Sequence, residues 1–211
     1  MENQQLQYFT YDGNKLLSLV SDDDTHTNYI YENGLLVREE AFDGTEMFGK
    51  VAYFYDSNNK LSSSIETSFS EDGGSSAAKN VYTYNSNGTI TVTIYTGDKD
   101  AQTQPYGTGI VTLTNGNITK YVFTYADGSA GETVISTFDD KNSPFKNTFA
   151  EDVMTLAMLE GGSTNNMLSN DHPGTDYDFT STYIYNDAGY PVKESNYWSG
   201  TLDYETQYFY E

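Results

Sequence analysis

Tyr29-Ile30-Tyr31-Glu32-Asn33-Gly34-Leu35-Leu36 decides the fold of this 211-residue chain. In a β-strand, residues i and i+2 share a face, so Tyr29 and Tyr31 stand side by side while Ile30 points the other way. Asn33-Gly34 supplies the positive φ angles of a tight hairpin turn, and Leu35 opens the return strand.

The same unit recurs along the chain. Copies are Phe9-Thr10-Tyr11-Asp12-Gly13, Tyr53-Phe54-Tyr55-Asp56-Ser57-Asn58-Asn59, Tyr82-Thr83-Tyr84-Asn85-Ser86-Asn87-Gly88, Phe123-Thr124-Tyr125-Ala126-Asp127-Gly128, Tyr183-Ile184-Tyr185-Asn186-Asp187-Ala188-Gly189 and a truncated Tyr208-Phe209-Tyr210. Return strands are clearest at Thr89 to Tyr95, where Ile90, Val92 and Ile94 alternate with threonines, and at 109–114, 118–125 and 133–138. The second tyrosines Tyr11, Tyr31, Tyr55 and Tyr84 are unevenly spaced, so the repeat is not a strict solenoid. The Ser/Gly stretch Glu71 to Ala78 reads as a flexible loop tip.

One segment breaks the pattern. Phe138-Asp139-Asp140-Lys141-Asn142-Ser143-Pro144-Phe145 leads into 148–160, where Val153, Leu156, Ala157 and Glu160 have helical spacing, Glu151 and Asp152 occupy the first turn, and Gly161-Gly162 ends it. Clear strands resume at about Thr182. The expected architecture is therefore all-β: one domain over 1–211, a large curled antiparallel sheet built as a meander of hairpins and partly open like an incomplete barrel. A helix-containing insertion at about 139–181 places one short helix over the concave face, burying Phe145, Phe149, Met154, Leu156, Met158 and Leu159.

Composition limits the function classes. With 10 basic and 31 acidic residues the net charge is -21, a field that repels phosphate backbones, so nucleic acid is excluded as a partner. The chain has no Cys, which removes disulfides, thiolate metal sites and a Cys nucleophile. No apolar run reaches the roughly 18 residues of a membrane helix. Buried area must come largely from 20 Tyr and 11 Phe, each able to bury about 150–250 Å².

The Tyr-x-Tyr-(Asn/Asp)-x-x-Gly-x-(Leu/Ile) unit resembles the YD or RHS-type repeat in a degenerate form. The segments 138–147, Asn165-Asn166-Met167-Leu168-Ser169 and 185–193 also resemble uncharacterised exported lipoproteins of Bacteroidetes type. The resemblance implies a periplasmic or cell-surface location, a large curled or porin-like antiparallel sheet and no established activity. A lipid anchor would lie upstream of Met1, since this chain carries neither an export signal nor a lipid-accepting Cys.

Candidate chemistry is sparse. His26 and His172 lie in acidic, loop-like sequence, and His172 with Asp171, Asp176 and Asp178 supplies only part of a hydrolytic triad. Asp171, Asp176 and Asp178, like Asp22-Asp23-Asp24, carry the oxygen ligands Ca²⁺ takes, but neither group matches the Asp-x-Asp-x-Asp-Gly loop, and solvated loop charge is the plainer reading. Trp198, the only Trp, sits beside a hairpin tip with Tyr197, and Tyr190 closes another turn. These three are the ligand-binding candidates, with edge packing as the structural alternative.

The expected function is a non-catalytic exported binding or scaffold protein, without a cofactor, whose partner is a glycan, a protein or an apolar ligand. A carbohydrate hydrolase would need two facing carboxylates in a cleft, and a lipid carrier an apolar cavity under the helix.

Overall fold

The computed structural model describes residues 6–148, 153, 155, 156 and 164–210. Among the described residues, fifteen strands follow one another in sequence order within one antiparallel sheet that is not closed into a barrel. They are β1 Gln7–Asp12, β2 Lys15–Ser21, β3 Thr25–Glu32, β4 Leu35–Asp43, β5 Glu46–Tyr55, β6 Leu61–Phe69, β7 Ser75–Tyr84 and β8 Thr89–Gly97. After these come β9 Gln102–Thr114, β10 Asn117–Tyr125, β11 Ala130–Phe138, β12 Met167–Asp171, β13 Asp178–Tyr185, β14 Pro191–Trp198 and β15 Thr201–Gln207.

The turn chemistry explains the meander, and two forms recur. At Asn33-Gly34, Asn115-Gly116 and Ser199-Gly200 both residues have positive φ, the two-residue turn whose twist matches that of the flanking strands. In four longer turns a single left-handed residue, Asn59, Gly88, Gly128 or Gly189, closes the reversal. In 85–89, Gly88 N–H donates to Asn85 O and Asn85 N–H to Thr89 O, and the same pair of bonds closes 56–60, 125–129 and 186–190. Asn186 Oδ1 stiffens its turn by accepting from the N–H groups of Ala188 and Tyr190, each at 3.0 Å. Asn87-Gly88 and Asp127-Gly128 thus belong to the longer turn, unlike Asn33-Gly34.

A second regularity appears at the second tyrosine of the repeat. Pairing shifts by one residue at Tyr11, Tyr31, Tyr55 and Tyr185, because their partners are Leu16, Leu36, Leu61 and Pro191 while the preceding residues pair with Ser18, Arg38, Ser63 and Lys193. The extra residue forms a bulge that re-aims the return strand.

The described residues group into two compact units. One spans 1–83, 92–107 and 148–150, and the other 84–91, 108–147 and 151–211. In the first, Leu16, Leu36, Leu61 and Val92 are fully buried together with Tyr53 and Tyr82. In the second, Val111, Ile118, Tyr121, Phe123 and Val134 form the core. Each such aliphatic side chain contributes about 1.5–3 kcal/mol of burial.

Two expectations change on inspection. Strands resume earlier than Thr182: β12 lies inside the stretch read as helix and loop. Its sequence Met-Leu-Ser-Asn-Asp lacks β-branched residues, and pairing to β11 and β13 holds it extended. The Ser/Gly tip also narrows to 70–74, because β7 begins at Ser75. Most of the helix expected over 148–160 lies outside the described residues, including Phe149, Met154, Met158 and Leu159. Val153, Thr155 and Leu156 are helical and buried, and Phe145 is half-buried.

Candidate functional site

The tyrosine stripe is held together by its hydroxyls. In the first unit, Tyr53 OH donates to Glu39 Oε1 at 2.6 Å and Tyr55 OH to the Leu36 carbonyl at 2.5 Å. In the second, Tyr208 OH donates to Glu194 Oε2 at 2.7 Å and Tyr210 OH to the Pro191 carbonyl at 2.8 Å. The sequence separations are identical, 14 residues for each Tyr–Glu bond and 19 for each Tyr–carbonyl bond. Glu39 faces Tyr29 across β3–β4 as Glu194 faces Tyr183 across β13–β14. The β3–β5 module is thus rebuilt in residues 178–210. Glu39 and Glu194 escaped the reading of the repeat, although Val37-Arg38-Glu39 and Val192-Lys193-Glu194 each follow the turn after a Tyr-Ile-Tyr strand and carried the signal.

These carboxylates brace the sheet. Burial raises the Glu39 carboxyl above its ordinary value, against the pull of the Tyr53 hydrogen bond. Burial and the nearby Glu39 charge push the Tyr31 phenol up to about 12. At the equivalent place between Tyr53 and Tyr82, Ser64 replaces the acid and shares a hydrogen bond with Tyr82 OH at 3.0 Å. The stripe is construction, and its hydroxyls are occupied at these positions.

The three segments 138–147, 165–169 and 185–193 meet in one polar clasp. Asp139 accepts from Tyr185 OH in a short bond and from the backbone and side-chain N–H groups of Asn166. Asn142 N–H donates to Gly189 O at 2.9 Å, and its Nδ2 to Ala188 O at 3.0 Å. Asn165 and Asn117 exchange two bonds, at 2.8 and 3.1 Å. The Asp-Asp-Lys-Asn motif therefore pins the chain where the repeat is interrupted.

What remains is the end of β12–β15. Phe179 and Trp198 are direct cross-strand partners with ring centroids 4.4 Å apart, edge to face. Tyr177, two residues before Phe179, meets the Trp198 ring at 5.2 Å and the His172 ring at 6.5 Å. Tyr177 and Trp198 stay 55% and 37% exposed, so neither has the burial of a core ring. Tyr204, opposite Asn196, adds a further half-exposed ring. The alternation Asp176-Tyr177-Asp178-Phe179 was the readable sign that both rings share a side.

Two neutral amides lie close to the rings on this face. Asn196 is 5% exposed and donates from Nδ2 to Ser181 Oγ at 3.0 Å. Asn170 faces Phe179 and is 7% exposed. The Oδ1 atoms of both have no hydrogen-bond partner.

Each residue singled out from sequence can now be placed. Trp198 lies at the centre of the aromatic cluster. Tyr197 pairs with Thr180 and so points to the opposite face, and Tyr190 lies at the far end of β14 against Tyr210, with ring centroids 5.7 Å apart. Asp171 and Asp178 face each other across β12–β13. They share the Ser169–Thr180 face, the reverse of the one bearing Phe179 and Trp198, because neighbours along a strand alternate. Burial and the hydrogen bond with Asp178 raise the Asp171 carboxyl. The Asp176 carbonyl accepts from Ser199 Oγ at 3.2 Å. Among the described residues, no three His, Asp or Glu side chains come together to hold a metal ion. His172 Nδ1 lies 3.9 Å from Glu132. His26 is in strand β3 rather than a loop, stacked on Phe42 at 4.9 Å. Asp23 caps the β2–β3 turn through the Thr25 N–H and hydroxyl.

The chain is an antiparallel β-meander with an aromatic surface cluster near one turn, and comparison with known proteins places that fold. No family model and no curated protein matches the chain. A porin-like protein from Bacteroides uniformis ATCC 8492 is similar at a TM-score of 0.53 and 11% identity, over 97% of this chain and 90% of that one. A porin-like protein from Bacteroides vulgatus ATCC 8482 gives 0.43 and 12%, over 97% and 87%. At 11% identity the first likeness is one of fold alone.

Proposed function

We propose that this protein is a non-catalytic binding module whose partner docks on the aromatic face formed by Tyr177, Phe179, Trp198 and Tyr204. The observation that carries this reading is the duplicated module, which acts as an internal control. At positions that build the sheet the two copies agree: the Tyr-Ile-Tyr strand, the facing Glu, the returning tyrosines. Their equivalent strand ends differ. Phe179–Trp198 replaces the pair Thr25–Asp43, and Ser181–Asn196–Tyr204 replaces Thr27–Ala41–Gly49. The scaffold folds with small residues at these places, so the half-exposed rings are not demanded by construction. Surface aromatics beside a hairpin turn supply contact area at low entropic cost.

An exported location belongs to the same proposal. It is supported by the lipoprotein-like segments 138–147, 165–169 and 185–193 and by the fold shared with the porin-like protein of Bacteroides uniformis.

The test is a thermal-shift search of glycans, amphiphiles and peptides against wild type, Trp198→Ala and Phe54→Ala, since Phe54 is an exposed ring of the first unit. Stabilisation by a ligand that disappears in Trp198→Ala and persists in Phe54→Ala is expected. Stabilisation that survives Trp198→Ala refutes the site.

A further inference from the structure

The chemistry of the aromatic face selects among partners. Two features bear on it: rings that present flat apolar area, and buried amide carbonyls without donors. Asn196 Oδ1 and Asn170 Oδ1 are enclosed without a hydrogen-bond partner, an unfavourable state for a carbonyl. Asn196 lies two residues before Trp198 on the same side of β14, and Asn170 pairs with Phe179, which pairs with Trp198. Both orphan acceptors therefore adjoin the rings.

The carboxylates are arranged otherwise. Asp171 and Asp178 project from the reverse face, as does Glu205, which pairs with Ser195 and holds Lys193 at 2.7 Å. Glu194 does share the aromatic face, but it already accepts from Tyr183 and Tyr208. A cation would want an unengaged carboxylate beside the rings, but on that side Glu132 lies 3.9 Å from His172 Nδ1 and Glu194 is held by two phenols, so it would have to compete for both. An anion would meet two unpaired carbonyl oxygens and a net charge of -21. A purely apolar ligand would leave both carbonyls unpaired.

We infer that the ligand is a neutral saccharide, one sugar ring lying on Trp198 and a hydroxyl donating to the Asn196 carbonyl. This rests on the binding reading above and specifies its ligand. A pyranose has an apolar C–H face for the indole and hydroxyl donors at its rim, and it carries no charge. Because both carbonyls are enclosed in the free protein, binding requires the neighbouring rings to give way, admitting one hydroxyl to Asn196 and a second to Asn170 beside Phe179.

Trp198 is the only tryptophan, so its fluorescence reads the site directly. The full chain is titrated with cellotriose, maltotriose, xylotriose and N-acetylchitotriose, and with trigalacturonate and trilysine as charged probes. At least one neutral trisaccharide is expected to give a saturable change, and the charged probes none. Asn196→Ser and Asn170→Ser should each weaken that Kd about tenfold with unchanged far-UV circular dichroism. A merely structural role would lower Tm and leave Kd in place, which would overturn the hydroxyl–carbonyl contact. Saturation by trilysine or trigalacturonate alone would overturn the saccharide while leaving the site standing. Silence toward every neutral saccharide also overturns it. The site itself falls only if the thermal-shift search finds no Trp198-dependent ligand either.

Discussion

Tyr53→Phe removes a single oxygen from the sheet and should be among the costliest conservative changes in the first unit. The ring is 4% exposed, and its hydroxyl sits 2.6 Å from Glu39 Oε1. Glu39 is itself buried enough for its carboxyl to be raised, so the lost donor leaves a desolvated carboxylate that water does not readily reach. A hydrogen bond to a charged group is worth about 1.5–3 kcal/mol. Taking about 2 kcal/mol, a chain of this length loses roughly 4–8 °C in Tm. The converse change, Glu39→Leu, strands the phenol hydroxyl instead. In the double variant both polar partners are gone, and such paired removal is nearly neutral. The Tyr53→Phe, Glu39→Leu cycle should therefore show a coupling of about 1.5 kcal/mol or more. The assay is urea denaturation at pH 7 followed by circular dichroism. A Tyr53→Phe cost within about 0.5 kcal/mol of zero, the range of an ordinary surface change, would refute the bracing role, as would an additive cycle.

The raised Glu39 carboxyl gives a pH signature. Because its folded-state pKa lies above the ordinary 4.5, the proton it retains favours the folded state. That contribution is complete below 4.5 and is lost as pH rises through the raised value. Glu39→Gln keeps the shape and removes the titration, so the stability of wild type relative to the variant should fall across this window in urea series at stepped pH. A flat difference would show that Glu39 is not desolvated. Gly109→Ala is expected to destabilise the second unit by about 1–3 kcal/mol through overpacking, since a methyl there would run into the buried Tyr121 ring and lie 2.7 Å from its hydroxyl. Tyr121→Ala in the same chain should relieve most of the clash, and thermal denaturation of the double variant checks it.

Much of the fold was legible because strand alternation and turn chemistry are local. Tyr-x-Tyr fixes which side chains share a face within a few residues, and Asn-Gly or Asp-x-x-Gly fixes where the chain reverses, so the meander follows from neighbours in sequence. The strand β12 was missed for the same reason: Met-Leu-Ser-Asn-Asp has no local preference to read, and its two partner strands make it extended. The candidate site was half legible. Trp198 stood out as a lone indole beside a turn, but Tyr197 and Tyr190, equally suggestive in sequence, are separated from it by one pleat and by the length of β14.

Hairpins, their turns and the aromatic stripe were determined by the sequence itself, since each depends on dihedral preferences and side-chain alternation within about ten residues. Tertiary structure alone decided which acceptor each phenol meets, 14 or 19 residues away, and that Asp139 would reach Tyr185 across 46. It also decided that the rings of Phe179 and Trp198 would stand opposite the carboxylates of Asp171 and Asp178. The reason is register. A one-residue bulge, such as those at Tyr31, Tyr55 and Tyr185, resets every pairing beyond it and with it the face each side chain takes. Where the bulge forms depends on the summed fit of two strands, which no single stretch of sequence carries.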